Sequence, residues 1–225
     1  MRLIELSAVD GAGKSTVASR IATRVRSRGE SVVVLHWPSD SLLGFLPDES
    51  TRGIATLVDA FDGDSSADGT DRPPGTTVPG TLRSPLGAAF DYVVALVFTL
   101  KLWFVLLNYL LVIPYLVVRY RDVDYVVLDR CAFDDLLQLE YRGVPRGLVR
   151  AGLALIRTGD CYCLEVGPRT AAARDRGADG SDHADDYYDR KSRLYRGYAR
   201  RHGVTRVDAT ARPSTIARAI LRDGR

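Results

Sequence analysis

Cysteine and histidine are rare in this sequence of 225 residues, and its charges nearly balance. It contains three histidines and three cysteines, Cys131, Cys161 and Cys163. Because 46% of the residues are hydrophobic, the chain can build a core without disulfides. No Cys or His cluster has the spacing of a metal-binding motif, and a net charge of +3 is too small to indicate nucleic-acid binding. We expect a reduced, cytoplasmic protein with no nucleic-acid partner.

Long apolar runs are limited to residues 92–118, whose only charge is Lys101. No such run occurs in residues 1–10, so the sequence predicts no secretory signal. The length of 92–118 would allow one membrane crossing, but Lys101 and Asn108 interrupt it, and Pro114 is expected to kink or end a helix there. We expect a core helix, or a helix at a homodimer or membrane surface, and membrane contact is not favoured.

Lysine is rare too, although the chain is basic. Among 31 Lys and Arg residues, only Lys14, Lys101 and Lys191 are lysines. The basic residues concentrate in 142–225, where 18 Lys and Arg face 10 Asp and Glu, which favours a protein that handles anions. Since arginine is used almost everywhere else, the lysine at position 14 indicates a place where a compact ammonium group is needed.

Strand-like and helix-like segments alternate along the chain. Short β-branched or apolar runs predict five strands, at 2–6, 31–35, 125–128, 161–166 and 204–207. Helical patterns occupy 14–28, 147–157, 185–201 and 213–221. This alternation predicts an α/β fold, a doubly wound parallel five-stranded sheet flanked by helices, in a single domain. Residues 62–84, rich in Gly, Pro, Ser and Asp, predict a flexible surface insertion.

A phosphate-binding pattern follows the first strand. Residues 8–15 read AVDGAGKS, which is G-x-x-x-x-G-K-[ST] except that Ala8 replaces the first glycine. Glycines in such a loop let backbone N–H groups approach phosphate oxygens, and the start of the next helix adds its positive end. Lys14 is expected to reach the β and γ phosphates, and Ser15 to bind Mg²⁺. The alternative is a Gly-rich turn that only caps a helix.

A second polar motif follows the strand at 125–128, where Asp129 and Arg130 stand. The carboxyl ends of parallel strands are where ligands bind in such sheets, so Asp129 is expected to be a second Mg²⁺ ligand and Arg130 a phosphate-binding cation. The alternative role for Asp129 is a helix N-cap. The two roles do not exclude each other.

These two motifs resemble those of the thymidylate kinase family of P-loop nucleoside monophosphate kinases. The phosphate loop of that family reads roughly Gly-x-Asp-Gly-x-Gly-Lys-Ser/Thr, and Asp10 stands at its Asp. The second signature of the family is Asp-Arg followed by an aromatic residue, and here Asp129-Arg130 is followed by Cys131. The resemblance extends over residues 1–40 and 120–222.

The resemblance also implies an acceptor side and a lid. His36-Trp37-Pro38 matches an Arg-Glu-Pro motif near the acceptor, and Asp134 matches the last residue of an Asp-Arg-x-x-x-Asp form. The lid is expected at about 169–189, in a loop rich in Gly, Ala and Asp, with Arg169, Arg174 and Arg176 as its cations. In the helix after the lid, helical spacing is more typical of core packing than of base stacking for Tyr187, Tyr188, Tyr195 and Tyr198.

The family resemblance implies transfer of the γ-phosphoryl group of Mg·ATP to a nucleoside monophosphate, with dTMP as the leading acceptor. The expected catalytic residues are Lys14, Arg130, Arg169, Arg174 and Arg176. ATP is expected to contact Asp10, Gly11, Ala12, Gly13, Lys14, Ser15 and Thr16, and Mg²⁺ to contact Ser15 and Asp129. The acceptor is expected to contact His36, Trp37, Pro38, Arg130 and Asp134. Two alternatives remain: a kinase of another phosphorylated or hydroxylated small molecule, and a nucleotide-binding switch protein with little turnover.

Overall fold

The computed structural model describes residues 1–36, 85–141, 144–156, 160–179 and 185–223. The predictions for Trp37, Pro38 and the insertion at 62–84 lie outside these residues.

The centre of the fold is a parallel sheet of five strands. The strands are β1 (Arg2–Ser7), β2 (Val32–His36), β3 (Tyr125–Asp129), β4 (Asp160–Glu165) and β5 (Thr205–Asp208). They lie in the order β2-β3-β1-β4-β5, and every neighbouring pair is parallel. The prediction of a doubly wound five-stranded α/β sheet is therefore confirmed.

Seven helices connect or flank these strands in the described part of the chain. They are α1 (Lys14–Arg26), α2 (Pro85–Arg119), α3 (Ala132–Tyr141), α4 (Arg146–Leu155), α5 (Pro168–Asp179), α6 (Asp185–His202) and α7 (Pro213–Asp223).

Each face of the sheet carries its own apolar core. Ile4 and Leu6 of β1 belong to the core that contains side chains of α1 and α7. Leu3 belongs to the opposite core, built with α2, α3 and α4. Since side chains alternate between the two faces of a strand, Glu5 lies on the side of α2 and α3. This burial on both faces explains why the strands are short runs of apolar residues.

Two helices differ from the sequence-based expectation. Residues 169–179, expected to belong to a lid loop, lie in α5; Pro168 stands at its first turn, and Ala171 and Ala172 are buried on its inner side. Helix α3 was not predicted, although Phe133, Leu136 and Leu137 have helical spacing and are buried. It begins at Ala132, so Asp129 is not its N-cap.

Helix α2 runs through Pro114 to Arg119, so of the two expected effects of this proline, a kink or an end of the helix, the end does not occur. Pro114 is exposed, which places its missing N–H bond on the outer side of the helix. From residue 102 onward the inner side packs in the core, whereas Trp103 and Val118 are 65% and 70% exposed. The stretch Leu102–Arg119 is long and apolar enough to cross a membrane, and 44% of it is buried against the rest of the protein.

Candidate functional site

The loop between β1 and α1 has the backbone shape that phosphate binding requires. Gly11 and Gly13 have φ of 75° and 88°, and Gly13 is the N-cap of α1 without any side-chain cap. The first N–H groups of α1 therefore point into the loop. Ala8 has no positive φ, since Arg130 is the one non-glycine residue with positive φ in the described chain. Alanine thus replaces the first glycine of the pattern without backbone strain.

Helix α5 covers this loop at Gly11. A Cβ added to Gly11 would lie 2.1 Å from the carbonyl oxygen of Ala171 and 3.1 Å from the Cβ of Asp175. Position 11 therefore needs glycine both for its φ and for the approach of α5. This contact places the start of the expected lid directly against the phosphate loop.

The ammonium group of Lys14 lies inside the loop. Its Nζ donates hydrogen bonds to the carbonyl oxygens of Ala8, at 2.6 Å, and Val9, at 3.3 Å. It also lies 3.9 Å from Oδ1 of Asp10. Lys14 is buried, so its charge acts where water screens it little.

Asp129 ends β3 beside the loop. It stands opposite Leu6 of β1 and His36 of β2 in the sheet register. Its Oδ2 lies 3.6 Å from Nδ1 of His36, whereas its Oδ1 is buried and has no hydrogen-bond partner among the described residues. A buried carboxylate oxygen without a partner is costly unless a cation or a proton donor satisfies it.

Asp10 is the residue on which the cations of the site converge. Arg130 donates from Nη2 to Oδ1 at 3.2 Å, and Lys191 donates from Nζ to Oδ2 at 3.0 Å. The hydroxyl of Tyr187 donates to Oδ2 at 2.8 Å. Burial opposes ionisation of Asp10, but Lys191 and Lys14 outweigh it and hold the pKa of Asp10 well below its usual range.

Lys191 is a site residue that the sequence analysis did not identify. It is buried in α6, hydrogen-bonded to the Tyr187 hydroxyl, and its ammonium lies 4.4 Å from the centroid of the Tyr187 ring. Burial lowers the pKa of Lys191, and the carboxylate of Asp10 opposes that shift. The rarity of lysine in the sequence applies to Lys191 as much as to Lys14, but no local motif surrounds Lys191.

Arg130 reaches Asp10 from a strained backbone. Its φ is 76°, a conformation that costs a non-glycine residue about 1–3 kcal/mol and persists only where the surroundings impose it. The backbone N–H of Arg130 donates to the carbonyl oxygen of Leu6 at 3.2 Å, which ties this residue to the end of β1. The strained residue is therefore part of the turn that directs the Arg130 guanidinium toward the phosphate loop.

Asp134 is buried beside the end of β1 and is not exposed to solvent. Ser7 donates from Oγ to its Oδ1 at 2.7 Å, and the N–H of Cys131 donates to its Oδ2 at 3.4 Å. Burial raises the pKa of Asp134, and Lys14 and Ser7 oppose this shift. Both oxygens thus have protein partners that connect β1 to the start of α3. Contact with an acceptor stays a prediction.

The three arginines expected in the lid all lie on α5, and all are exposed. Arg174 donates from Nη1 to the carbonyl oxygen of Ala209, just after β5, at 3.4 Å. The structure therefore places Arg169, Arg174 and Arg176 on the helix that covers the loop. Their part in catalysis stays a prediction.

The side-chain oxygens of Asp129 and Ser15 are suitable ligands for Mg²⁺. This ion prefers hard oxygen ligands and is commonly held by one or two protein groups together with phosphates. Asp129 supplies a buried oxygen without a described partner, and Ser15 supplies an exposed hydroxyl in the first turn of α1. Together with Lys14 and Arg130, these groups can surround a magnesium-bound polyphosphate at the carboxyl edge of the sheet.

Three solved structures of a deoxyadenosine kinase from M. mycoides are similar to the chain over nearly its whole length. The one with bound dATP has a TM-score of 0.54 and 13% identity, and covers 99% of this chain and 98% of that chain. The one with the products dCMP and a flexible dCDP has a TM-score of 0.53 and 14% identity, and covers 98% and 97%. The one with bound dCTP has a TM-score of 0.51 and 13% identity, with the same coverage of 98% and 97%.

No protein-family model matches the sequence, and no curated protein matches it. A likeness to solved structures at this level of identity shows the fold and not the activity. The chain shares the α/β fold of this deoxyadenosine kinase, with its five-stranded parallel sheet flanked by helices.

Proposed function

We propose that the protein is an Mg·ATP-dependent kinase that phosphorylates a nucleoside or a nucleoside monophosphate. The observation that carries this proposal is the convergence at one sheet edge of the phosphate loop, the Lys14 ammonium, and the buried Asp129 oxygen that has no described partner. A loop that only capped a helix would need neither a buried lysine nor a carboxylate on the neighbouring strand.

Each group has a role that follows from phosphoryl-transfer chemistry. The transferred group carries negative charge on its oxygens, so positioning and cationic stabilisation supply most of the catalysis. The loop N–H groups and Lys14 bind the phosphates, and Asp129 and Ser15 would hold Mg²⁺. When bound, Mg²⁺ neutralises charge on the β and γ phosphates. Arg130 is held toward the loop by Asp10, and we assign Arg169, Arg174 and Arg176 of α5 to the transferring group.

The leading acceptor is a nucleoside monophosphate, with dTMP first, because the Asp10 and Asp129-Arg130 motifs resemble thymidylate kinase. The oxygens of a monophosphate attack without a strong general base. We place this acceptor near His36, Arg130 and Asp134, with Trp37 and Pro38 as further contacts outside the described residues.

A nucleoside hydroxyl is the second candidate acceptor, and one observation favours it. The likeness in fold to a deoxyadenosine kinase supports testing this class of acceptor.

The test is an acceptor panel with purified protein, Mg·ATP, and each common nucleoside and nucleoside monophosphate of both sugars. ADP and the phosphorylated product are both quantified by chromatography. We expect acceptor-dependent ADP formation with an equal amount of phosphorylated acceptor, which Lys14→Ala should abolish while circular dichroism stays unchanged. If Mg·ATP binds but no acceptor accelerates ADP formation, the kinase proposal is wrong and a nucleotide-binding switch is favoured.

A further inference from the structure

A second group of metal-ligating side chains lies away from the phosphate loop. It consists of Glu5 in β1, Cys131 just before α3, and Cys161 in β4, which pairs with Glu5 in the sheet register. One ligand atom from each residue lies within 4.8 Å of the other two. Glu5 and Cys131 are 4% and 1% exposed, and Cys161 is half-buried. The sequence showed no metal-binding spacing, because these residues come from three distant segments.

The chemistry of this cluster differs from that of the Asp129 site. Two thiols and one carboxylate form a soft, mixed ligand set, which Zn²⁺ accepts and Mg²⁺ does not prefer. Zn–S bonds of about 2.3 Å and Zn–O bonds of about 2.0–2.2 Å bring tetrahedral ligands to about 3.5–3.8 Å from one another. The three ligand atoms would therefore need to move together by no more than about 1 Å.

A cavity gives access to the cluster. It has a volume of about 520 Å³, and Glu5 and Cys161 line it together with His202 at the end of α6. Asp160 also lines the cavity, but its carboxylate accepts a 2.6 Å hydrogen bond from Nε of Arg2. The cavity thus reaches two of the three ligands, and water in it can supply a fourth.

We propose that Glu5, Cys131 and Cys161 form a Zn²⁺ site with one position open to this cavity. A metal bound there would join β1, β4 and the residue that follows Arg130. It would therefore brace the strained turn that presents Arg130 to the phosphate loop. None of its three ligands is assigned to the phosphate site, so Zn²⁺ binding can be tested separately from the proposed kinase activity.

Cys163 is the matched control for this proposal. It is buried in β4 two residues after Cys161, on the same face of the sheet, and it is not part of the cluster. A Cys-to-Ser change there removes a thiol from the same strand and core without touching a proposed ligand.

Cobalt titration of the reduced full-length protein tests the site, because Co²⁺ takes the place of Zn²⁺ and thiolate ligation gives it an intense near-ultraviolet band. We expect one equivalent of Co²⁺ to produce the band and Zn²⁺ to remove it. The band should persist in Cys163→Ser and disappear in Cys161→Ser and Cys131→Ser. Absence of the band in the wild-type protein, or its loss in Cys163→Ser alone, overturns the proposal.

A second measurement keeps the test valid if Cys131→Ser fails to fold. Glu5→Gln keeps both thiols, and we expect it to weaken Zn²⁺ binding by about tenfold or more. Loss of a residue that only hydrogen-bonds to a metal ligand already lowers metal affinity on this scale. Zn²⁺ should also raise the melting temperature of the wild type and Cys163→Ser but not of Cys161→Ser. Equal Zn²⁺ stabilisation of all three proteins overturns the proposal, as does a Cys131–Cys161 disulfide whose reduction yields no metal band.

Discussion

The Nζ of Lys191 lies 3.0 Å from Oδ2 of Asp10, the third residue of the phosphate loop, although 181 positions separate the two residues. Asp10 in turn accepts a hydrogen bond from Arg130 and lies 3.9 Å from the Lys14 ammonium. One carboxylate therefore organises three cations that come from α1, the end of β3, and α6. The geometry of the phosphate site depends on packing between distant parts of the chain.

Lys191→Met should therefore lower both stability and turnover. Removing one partner of a buried ion pair costs about 3–5 kcal/mol, and we expect about 2 kcal/mol because Arg130 and Lys14 still face Asp10. Without Lys191, the Asp10 carboxylate that accepts the hydrogen bond from Arg130 is less well fixed, and the Arg130 guanidinium can shift. We therefore expect kcat to fall by about tenfold or more, the scale of a small misplacement of a catalytic group. Urea unfolding and steady-state kinetics measure the two effects.

Arg190→Met is the control for this change, because Arg190 precedes Lys191 on α6 and its guanidinium lies 5.1 Å from the centroid of the Tyr141 ring. We expect it to change stability by less than about 1 kcal/mol, as is usual for a half-exposed cation–π contact. Equal effects of the two substitutions would contradict a specific role for Lys191.

Acid should destabilise the protein through Asp10. The pKa of Asp10 is depressed in the folded state. The ionised carboxylate therefore contributes its full stabilisation above the unfolded-state pKa of about 3.9, and this stabilisation is lost as the pH falls toward the folded-state pKa. Arg130 and Lys191 remain protonated over this range, and Tyr187 remains neutral. Asp134 acts in the opposite direction, because burial raises its pKa.

Comparison with Asp10→Asn isolates this effect. We expect the stability advantage of the wild type over the variant to be constant from pH 7 to about pH 5 and to shrink below about pH 4. Denaturant unfolding at each pH measures it. A difference that stays constant down to pH 2.5, or grows on acidification, would refute the assignment.

Gly11→Ala should destabilise the protein and abolish nucleotide binding. An L-residue at φ of 75° costs about 1–2 kcal/mol, and the new Cβ would also displace the Ala171 carbonyl of α5. Gly29→Ala is a matched control, since Gly29 has φ of 77°, has no atom within 4 Å of its Cβ position, and lies after α1. Thermal unfolding and ATP titration should show backbone strain alone in Gly29→Ala, and strain with loss of binding in Gly11→Ala. Similar behaviour of the two variants would mean that α5 does not press on the loop.

The parts of this site that could be predicted from sequence are local. β-branched runs define the strands, and the spacing of glycines, Lys14 and Ser15 defines the loop within eight residues. Asp129 was predictable because the end of a strand fixes where a residue lies in a parallel sheet. Ala8 was also predictable as a tolerated replacement, since only a positive φ would have excluded it.

The parts that could not be predicted depend on tertiary packing. Lys191 and Tyr187 reach Asp10 only because α6 packs beside the loop, and Ser7 meets Asp134 across 127 positions. No motif encodes such contacts. The family resemblance implied a lid loop at about 169–189, but Ala171 and Ala172 are good helix formers that bury one side of this segment, and they favour the helix α5 in its first part.

A comparison of Arg130→Gly with Arg130→Ala should separate the effect of the guanidinium on turnover from the effect of the positive φ on stability. Both remove the guanidinium that donates to Asp10, so both should lose turnover to a similar extent, by about 10²–10³, as when one charge-stabilising donor is removed. Glycine tolerates φ of 76° and alanine does not, so the glycine variant should be about 1–2 kcal/mol more stable than the alanine variant. Urea unfolding of the pair measures this difference directly, and the general flexibility of glycine in the unfolded chain acts against it. If the alanine variant is the more stable of the two, residue 130 relaxes to a negative φ once the arginine is gone. The positive φ is then imposed by the contact between Arg130 and Asp10, and not by the position of the turn at the end of β3.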